Sequence, residues 1–357
     1  MDMAIRFIEN KISTRIAVVG IGGAGGNAIN NIIESDLQNV DFITLNTDAQ
    51  DLEKNKSPNK ILLGMNLTNG RGAGGDPEIG RQAALESINQ IREALEGSDL
   101  AFISAGMGGG TGTGGAPVIA QLCKELGALT IAIVSKPFSF EGKVRLRQAK
   151  RGIIQLQKVV DGIITIPNDR LLKMAPRDAS FLEMFKRADE ILYYTVRGVA
   201  GFITVPGSVN RDFSDVRKLM SEKGLAFIGA GVAKGENRAI QAVHKAIHNP
   251  LLEDVSIKGA SGMLINITGS GITMEETHEA STLIKKEADE DANIIWGMVF
   301  DDGMSDEIMI TVIATGIGNQ IPKSINTTIQ NNGQRMMFRL PKEEGLDVPA
   351  FISRQTD

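Results

Sequence analysis

The chain is 357 residues long, too long for one ordinary core, so two domains are expected; its 42% apolar and 23% charged content is normal for a globular protein. A formal charge of −5, with no basic stripe interleaved with aromatics, argues against a nucleic-acid partner, and no apolar run approaches the roughly 20 residues of a membrane span. The single cysteine, Cys123, excludes an internal disulfide, fits a reducing compartment and reads as a small buried hydrophobe in a helical pattern. Residues 1–11 contain acids and no cleavage-type apolar core, so no secretory signal is read there and the cytoplasm is the expected location.

From Arg15 onward, short β-branched runs alternate with helical patterns. Residues 16–19, 42–45, 61–63, 100–103, 130–134 and 163–166 are almost continuously apolar, as strands of a parallel sheet covered on both faces must be. The alternation predicts a Rossmann-like, doubly wound α/β domain over 12–177, with ligands at the carboxyl ends of its strands. A long central helix is expected over 178–201. It opens on the capping-box pair Ser180 and Glu183 and places Phe181, Met184, Phe185, Ala188, Ile191, Leu192, Thr195 and Val199 on one face. Residues 202–223 lead to a smaller α/β domain at 224–316, with candidate strands at 225–233, 263–268, 293–300 and 307–314 and helices near 236–248 and 274–289. The composition then turns polar. Residues 317–340 read as a disordered linker, and 341–357 as a C-terminal peptide whose apolar residues, among them Leu346, Val348, Phe351 and Ile352, suit docking to a partner.

Glycine, at 40 residues, clusters where the first set of strands ends. The first strand runs into Gly20-Ile21-Gly22-Gly23-Ala24-Gly25-Gly26-Asn27 and then a helix, which sets backbone N–H groups and a positive helix end against an anion. Alone, this is a dinucleotide-type fingerprint, and Asp48 falls near the spacing of a ribose-binding acid; a Rossmann-type NAD(P) oxidoreductase is therefore an alternative. Further loops weigh against it. Asn46-Thr47-Asp48 ends the second strand, Gly70-Arg71-Gly72-Ala73-Gly74-Gly75-Asp76 follows the third, Gly108-Gly109-Gly110-Thr111-Gly112-Thr113-Gly114 the fourth, and Pro137-Phe138-Ser139-Phe140-Glu141-Gly142 the fifth. A nicotinamide enzyme needs fewer phosphate contacts and usually an acid–base residue, whereas His244, His248 and His278 all lie in the second domain. The threonines of the fourth loop supply hydroxyls that close backbone packing alone would not require.

That fourth loop resembles the signature loop of the tubulin/FtsZ superfamily. The loop order and the tail resemble its bacterial cell-division branch, the FtsZ family, over roughly 14–316 and the last dozen residues. The resemblance implies a GTPase that binds GTP or GDP, with Mg2+ held mainly by phosphates and water rather than by protein ligands. It implies that Gly22, Gly23, Ala24, Gly25, Gly26 and Asn27 form the first phosphate loop, and that Asn46, Asp48, Ala73 and Gly74 contribute from the second and third. Gly108, Gly109, Gly110, Thr111, Gly112 and Thr113 would form the fourth, with its centre on the terminal phosphates. Glu141 would bond the ribose hydroxyls, with Arg145 near the ribose or phosphates. Asn168 and Asp189 would read the base, an acid accepting from the exocyclic amine favouring guanine over adenine, and Phe185 would pack on it. Read without the resemblance, Phe185 is equally a core residue of the long helix, and Glu141 with Arg145 a solvated i,i+4 ion pair.

The segment Asn210-Arg211-Asp212-Phe213-Ser214-Asp215 reads by itself as a helix N-cap with an acidic first turn. The resemblance implies that it enters the nucleotide pocket of the next subunit, where Asp212 and Asp215 orient and polarise the attacking water and Asn210 contacts the phosphate region. It further implies a head-to-tail homo-polymer at the mid-cell division site, with the C-terminal peptide docking membrane-tethering division proteins and no direct membrane binding. A non-polymerising GTP-binding regulator with the same core is a further alternative. The third loop departs from the family in Arg71 and in Gly75-Asp76, where an aliphatic residue and Ala-Asn are commoner. An acid beside phosphates is repulsive unless it faces a metal ion or a helix N-terminus.

Overall fold

The computed structural model describes residues 14–35, 37, 39–174, 180–204, 213–220, 225–248, 257–289 and 291–317. Asn210, Asp212 and the C-terminal peptide lie outside the described residues, as does the expected linker apart from its first residue, Ile317, which belongs to the last strand.

Six parallel strands, β1 (Ile16–Ile21), β2 (Asp41–Asn46), β3 (Asn59–Leu62), β4 (Leu100–Gly106), β5 (Leu129–Lys136) and β6 (Gly162–Pro167), form one sheet in the order β3-β2-β1-β4-β5-β6. This is the doubly wound order expected of a Rossmann-like domain. Alternate side chains serve opposite faces: Ile16, Val18, Phe102 and Ile131 enter one core, and Ala17, Val19, Ile103 and Ala132 the other. Helices cover both faces, namely α1 (Gly22–Ile33), α2 (Ala49–Lys54), α3 (Met65–Thr68), α4 (Pro77–Glu86), α5 (Ile88–Leu95), α6 (Thr111–Glu125), α7 (Lys143–Gln157) and α8 (Asn168–Met174). Cys123, on α6, is buried, and desolvation pushes its thiol up to about 12, so it serves as an apolar packing group.

The central helix, α9 (Phe181–Thr204), begins a few residues later than its pattern suggests and spans about 36 Å. Its start is set by the capping box: Ser180 N–H donates to Glu183 at 2.7 Å, and Glu183 N–H to the Ser180 hydroxyl at 3.3 Å. Met184, Ile191, Leu192, Thr195 and Val199 are buried as the periodicity predicts, but Phe185 is 45% exposed and is not a core residue. The helix α10 (Phe213–Met220) follows.

A second sheet comprises β7 (Leu225–Lys234), β8 (Gly262–Gly269), β9 (Asn293–Phe300) and β10 (Glu307–Ile317) in the order β7-β10-β8-β9, with α11 (Arg238–Ile247) and α12 (Met274–Glu287). Here β10 runs antiparallel to β7 and β8, while β8 and β9 are parallel. One core runs from the first sheet through α9 into Ile265, Ile267, Ile310 and Val312. Asn266, fully buried on β8, donates to the Gly198 carbonyl of α9 at 3.1 Å, a polar fastening inside that apolar contact. The rings of His244 and His248 lie 5.7 Å apart at the end of α11, tilted by 34°, and among the described residues no cluster of ligating side chains could hold a metal ion.

Candidate functional site

Because the six strands are parallel, their carboxyl ends share one edge, and a cavity of about 460 Å3 opens there. Among the helices that begin near this edge, α1, α2, α4 and α6 differ in how their first N–H groups are satisfied. Asp48 caps α2, accepting from Gln50 N–H at 2.9 Å and Asp51 N–H at 3.2 Å; Asp76 caps α4, accepting from Glu78 N–H at 2.8 Å. Neither α1 nor α6 has a side-chain cap, and neither has an acid in its first turn. These two uncapped ends wall the cavity, with Gly22, Gly23, Ala24 and Asn27 on one side and Gly109, Gly110, Thr111 and Gly112 on the other. Two helix N-termini without side-chain caps, their positive ends converging on one space, suit an anion such as a phosphate.

The glycines are also required by packing. Gly108 has φ +103°, and a Cβ there would lie 2.8 Å from Arg145 Cγ. A Cβ on Gly114 would meet the Pro77 carbonyl oxygen at 1.8 Å, so this position serves the seating of α6 on α4. Thr113 is turned inward: its Oγ1 accepts from Gly108 N–H at 2.7 Å and closes the loop on itself.

At the other end of the cavity the walls are side chains. Asn168 is buried, and among the described residues its Oδ1 has no hydrogen-bond partner. Such an acceptor on a cavity wall is free to meet a ligand donor. Asp189 accepts from the Asn31 amide at 2.6 Å. Burial pushes its carboxyl up to about 7, with the Asn31 bond pulling the other way. The exposed Phe185 ring meets Phe138 edge-on at 5.8 Å and lines the cavity. Between the two ends, Glu141 accepts from Phe138 N–H at 2.8 Å and pairs with Arg145 at 3.1 Å, so the i,i+4 ion pair forms and both partners still line the cavity.

Thirteen of the expected nucleotide contacts therefore share one wall: Gly22, Gly23, Ala24, Asn27, Gly109, Gly110, Thr111, Gly112, Glu141, Arg145, Asn168, Phe185 and Asp189. The others do not line it. Gly25 and Gly26 are buried within α1, Asn46 accepts from Asp48 N–H, Asp48 caps α2, Ala73 is buried, and Gly74 stands in open space; Gly108 and Thr113 hold the fourth loop together. Asp76 faces a helix N-terminus, which removes the expected repulsion. Asp48, the candidate ribose-binding acid of the dinucleotide alternative, caps α2 and does not line the cavity. Sequence reading passed over Ser104, Met107, Ser135 and Ile166, which also line the cavity; their position at strand carboxyl ends was the available signal.

Asp215 lies far from all of this, in the first turn of α10. Arg217, on the same helix, donates to the carbonyl of Asp99, the residue before β4, at 3.5 Å. The cavity begins where β4 ends, about 20 Å away at roughly 3.3 Å per residue.

Comparison with known proteins agrees with this geometry. Residues 15–176 match the family model "Tubulin/FtsZ family, GTPase domain", and residues 224–318 match "FtsZ family, C-terminal domain". A Wolbachia protein named cell division protein FtsZ is 48% identical over 342 residues, covering 92% of this chain and 86% of the relative. The solved structure of an empty FtsZ dimer from M. jannaschii superposes with a TM-score of 0.79 at 42% identity, covering 86% of this chain and 89% of that one. A GTPγS-bound protofilament of CetZ2 from Haloferax volcanii shares the fold, with a TM-score of 0.69 at 22% identity over 86% and 94% of the two chains. This chain belongs to the FtsZ family of tubulin-like GTPases.

Proposed function

We propose that this protein is a GTP-dependent, self-assembling filament protein of bacterial cell division, hydrolysing GTP where one subunit meets the next. The observation that carries this reading is the separation of the two halves of the chemistry. The nucleotide cavity lies at the carboxyl edge of the first sheet, and Asp215 lies toward the amino edge. A residue some 20 Å away along a strand cannot act on a phosphate in its own chain, but a head-to-tail neighbour presents that edge to the cavity. Such a heterologous contact does not close on itself, so it propagates into a filament.

Within the cavity the N-terminal N–H groups of α1 and α6 hold the phosphates, Asp189 and Asn168 read guanine, and Phe185 covers the base. Glu141 and Arg145 flank the sugar. From the neighbour, Asp215 with Asp212 orients the attacking water and Asn210 steadies the phosphate region; positioning and electrostatics dominate such a transfer, and no covalent intermediate is needed. Asp48 and Asp76, the loop acids expected near the phosphates, cap α2 and α4 and do not line the cavity. The ion would be carried by phosphate and water oxygens, where it neutralises charge on the triphosphate. The cytoplasmic face of the mid-cell division site is the place of action, and residues 341–357 dock membrane-tethering division proteins.

Phosphate release and pelleting with GTP across a range of protein concentrations test this reading. Turnover per subunit should rise steeply with concentration, and Asp215→Ala should keep GTP binding while losing hydrolysis by about 100-fold or more. Constant turnover on dilution would refute the shared site.

A further inference from the structure

Thr47, between β2 and α2, belongs to none of the phosphate contacts above, and it does not line the cavity. It is fully buried, yet its hydroxyl lies 2.6 Å from the hydroxyl of Thr111, the first residue of α6, 64 positions along the chain. Its carbonyl accepts from Gly72 N–H of the third loop at 3.0 Å. A Cβ built on Gly22 would lie 3.3 Å from Thr111 Cβ, so the first loop backs the apolar side of Thr111 and Thr47 holds its polar side. Four strand-end loops thus meet around one side chain that faces the ligand.

We infer that Thr47 is a positioning residue for nucleotide binding: its hydroxyl donates to the Thr111 hydroxyl and leaves the Thr111 proton to a phosphate oxygen. A hydroxyl carries one donor and two acceptor lone pairs, so the two threonines share a single hydrogen bond of either direction. An anion in the cavity can only accept. Its arrival selects the direction in which Thr111 donates outward, and Thr47, buried behind Thr111 and outside the cavity lining, must then donate to Thr111. A chain of donors polarised toward an anion is stronger than its separate links. The same residue ties the third loop to the fourth, so the two loops present themselves to the phosphates in one register.

This inference rests on the cavity binding GTP, which wild-type protein tests first in the same titration. GTP affinity is measured by calorimetry at protein concentrations below assembly. Thr47→Val, equal in shape and lacking the hydroxyl, should weaken GTP roughly 3- to 10-fold, and Thr47→Ser should retain wild-type affinity. Thr47→Val placed in a Thr111→Val background should cost nothing further, because the link it supplies is already gone. Should Thr47→Val fold poorly by thermal denaturation, the smaller Thr47→Ala carries the same expectations. Wild-type affinity in the variants lacking the hydroxyl overturns the inference, as does a loss that adds in full to that of Thr111→Val. Failure of the wild type to bind GTP instead overturns the function proposed above.

Discussion

One end of the cavity, the proposed phosphate end, is walled by backbone, and the other, the proposed base end, by side chains. The phosphate end consists of the first turns of α1 and α6, where Gly22, Gly23, Gly110 and Gly112 contribute N–H groups and nothing else. The base end consists of Asn168, Phe185 and Asp189, each on a helix that packs against the sheet or the central core. Backbone donors recognise charge without regard to what carries it. They are lost only when the main chain itself is displaced. Side chains recognise the pattern of one base, and they can be exchanged without unfolding the loops.

The largest expected effect breaks the phosphate end. Gly108→Val places a Cβ 2.8 Å from Arg145 Cγ and 2.9 Å from its carbonyl oxygen at a φ of +103°. GTP binding should vanish, with a stability loss of about 2–3 kcal/mol by thermal denaturation. Near-normal binding would show that the fourth loop does not depend on this backbone shape. The next effect belongs to the base end. Asp189→Asn should weaken GTP by about 100-fold or more in calorimetry, because two charge-assisted acceptor contacts are lost, while the melting temperature at pH 7.5 stays the same or rises. A large fall in stability would instead make Asp189 a structural residue.

A pH titration sharpens the same contrast. Burial holds the Asp189 carboxyl at about 7, above its ordinary value, because it disfavours the charged form. Between about pH 4 and 7 the folded protein therefore binds more protons than the unfolded chain, and the contribution of this group to stability is lost as pH rises through about 7. Guanine N–H donors favour the carboxylate, so GTP affinity should move the opposite way, falling up to about tenfold per unit below pH 7. Calorimetry in wild type and Asp189→Asn separates this group from the rest; an unchanged slope in the variant would place the titration elsewhere. The smallest effect is expected of Phe185→Leu, which should weaken GTP about threefold to tenfold with GTP still preferred over ATP. A reversal of that preference would move base recognition away from Asp189 and Asn168.

Much of this site was legible before any coordinates. Glycine clusters at strand ends, the capping pair Ser180 and Glu183, and the apolar periods of β1, β4 and β5 are local signals, each contained within a few residues. Phe185 was less clear, because helical periodicity assigns it to the buried face, while the structure exposes it beside the base end of the cavity. The loop acids were less clear still. Asp48 and Asp76 stand among phosphate-loop residues in the sequence, and only the direction of their side chains shows that both are turned onto helix ends.

The sequence by itself determined the doubly wound sheet and the glycine clusters at its strand ends, because strand period, helix period and glycine placement are properties of neighbouring residues, and the resemblance of those loops to known ones pointed to the family. Tertiary structure alone decided which helix N-termini lack a side-chain cap, that the Asp189 carboxyl is largely buried beside the Asn31 amide, and that Thr47 touches Thr111. It also decided that Asp215 and the cavity lie toward opposite edges of one sheet. These are relations between residues dozens to more than a hundred positions apart. They exist only once parallel strands have fixed which chain segments share an edge, and no local pattern encodes that distance.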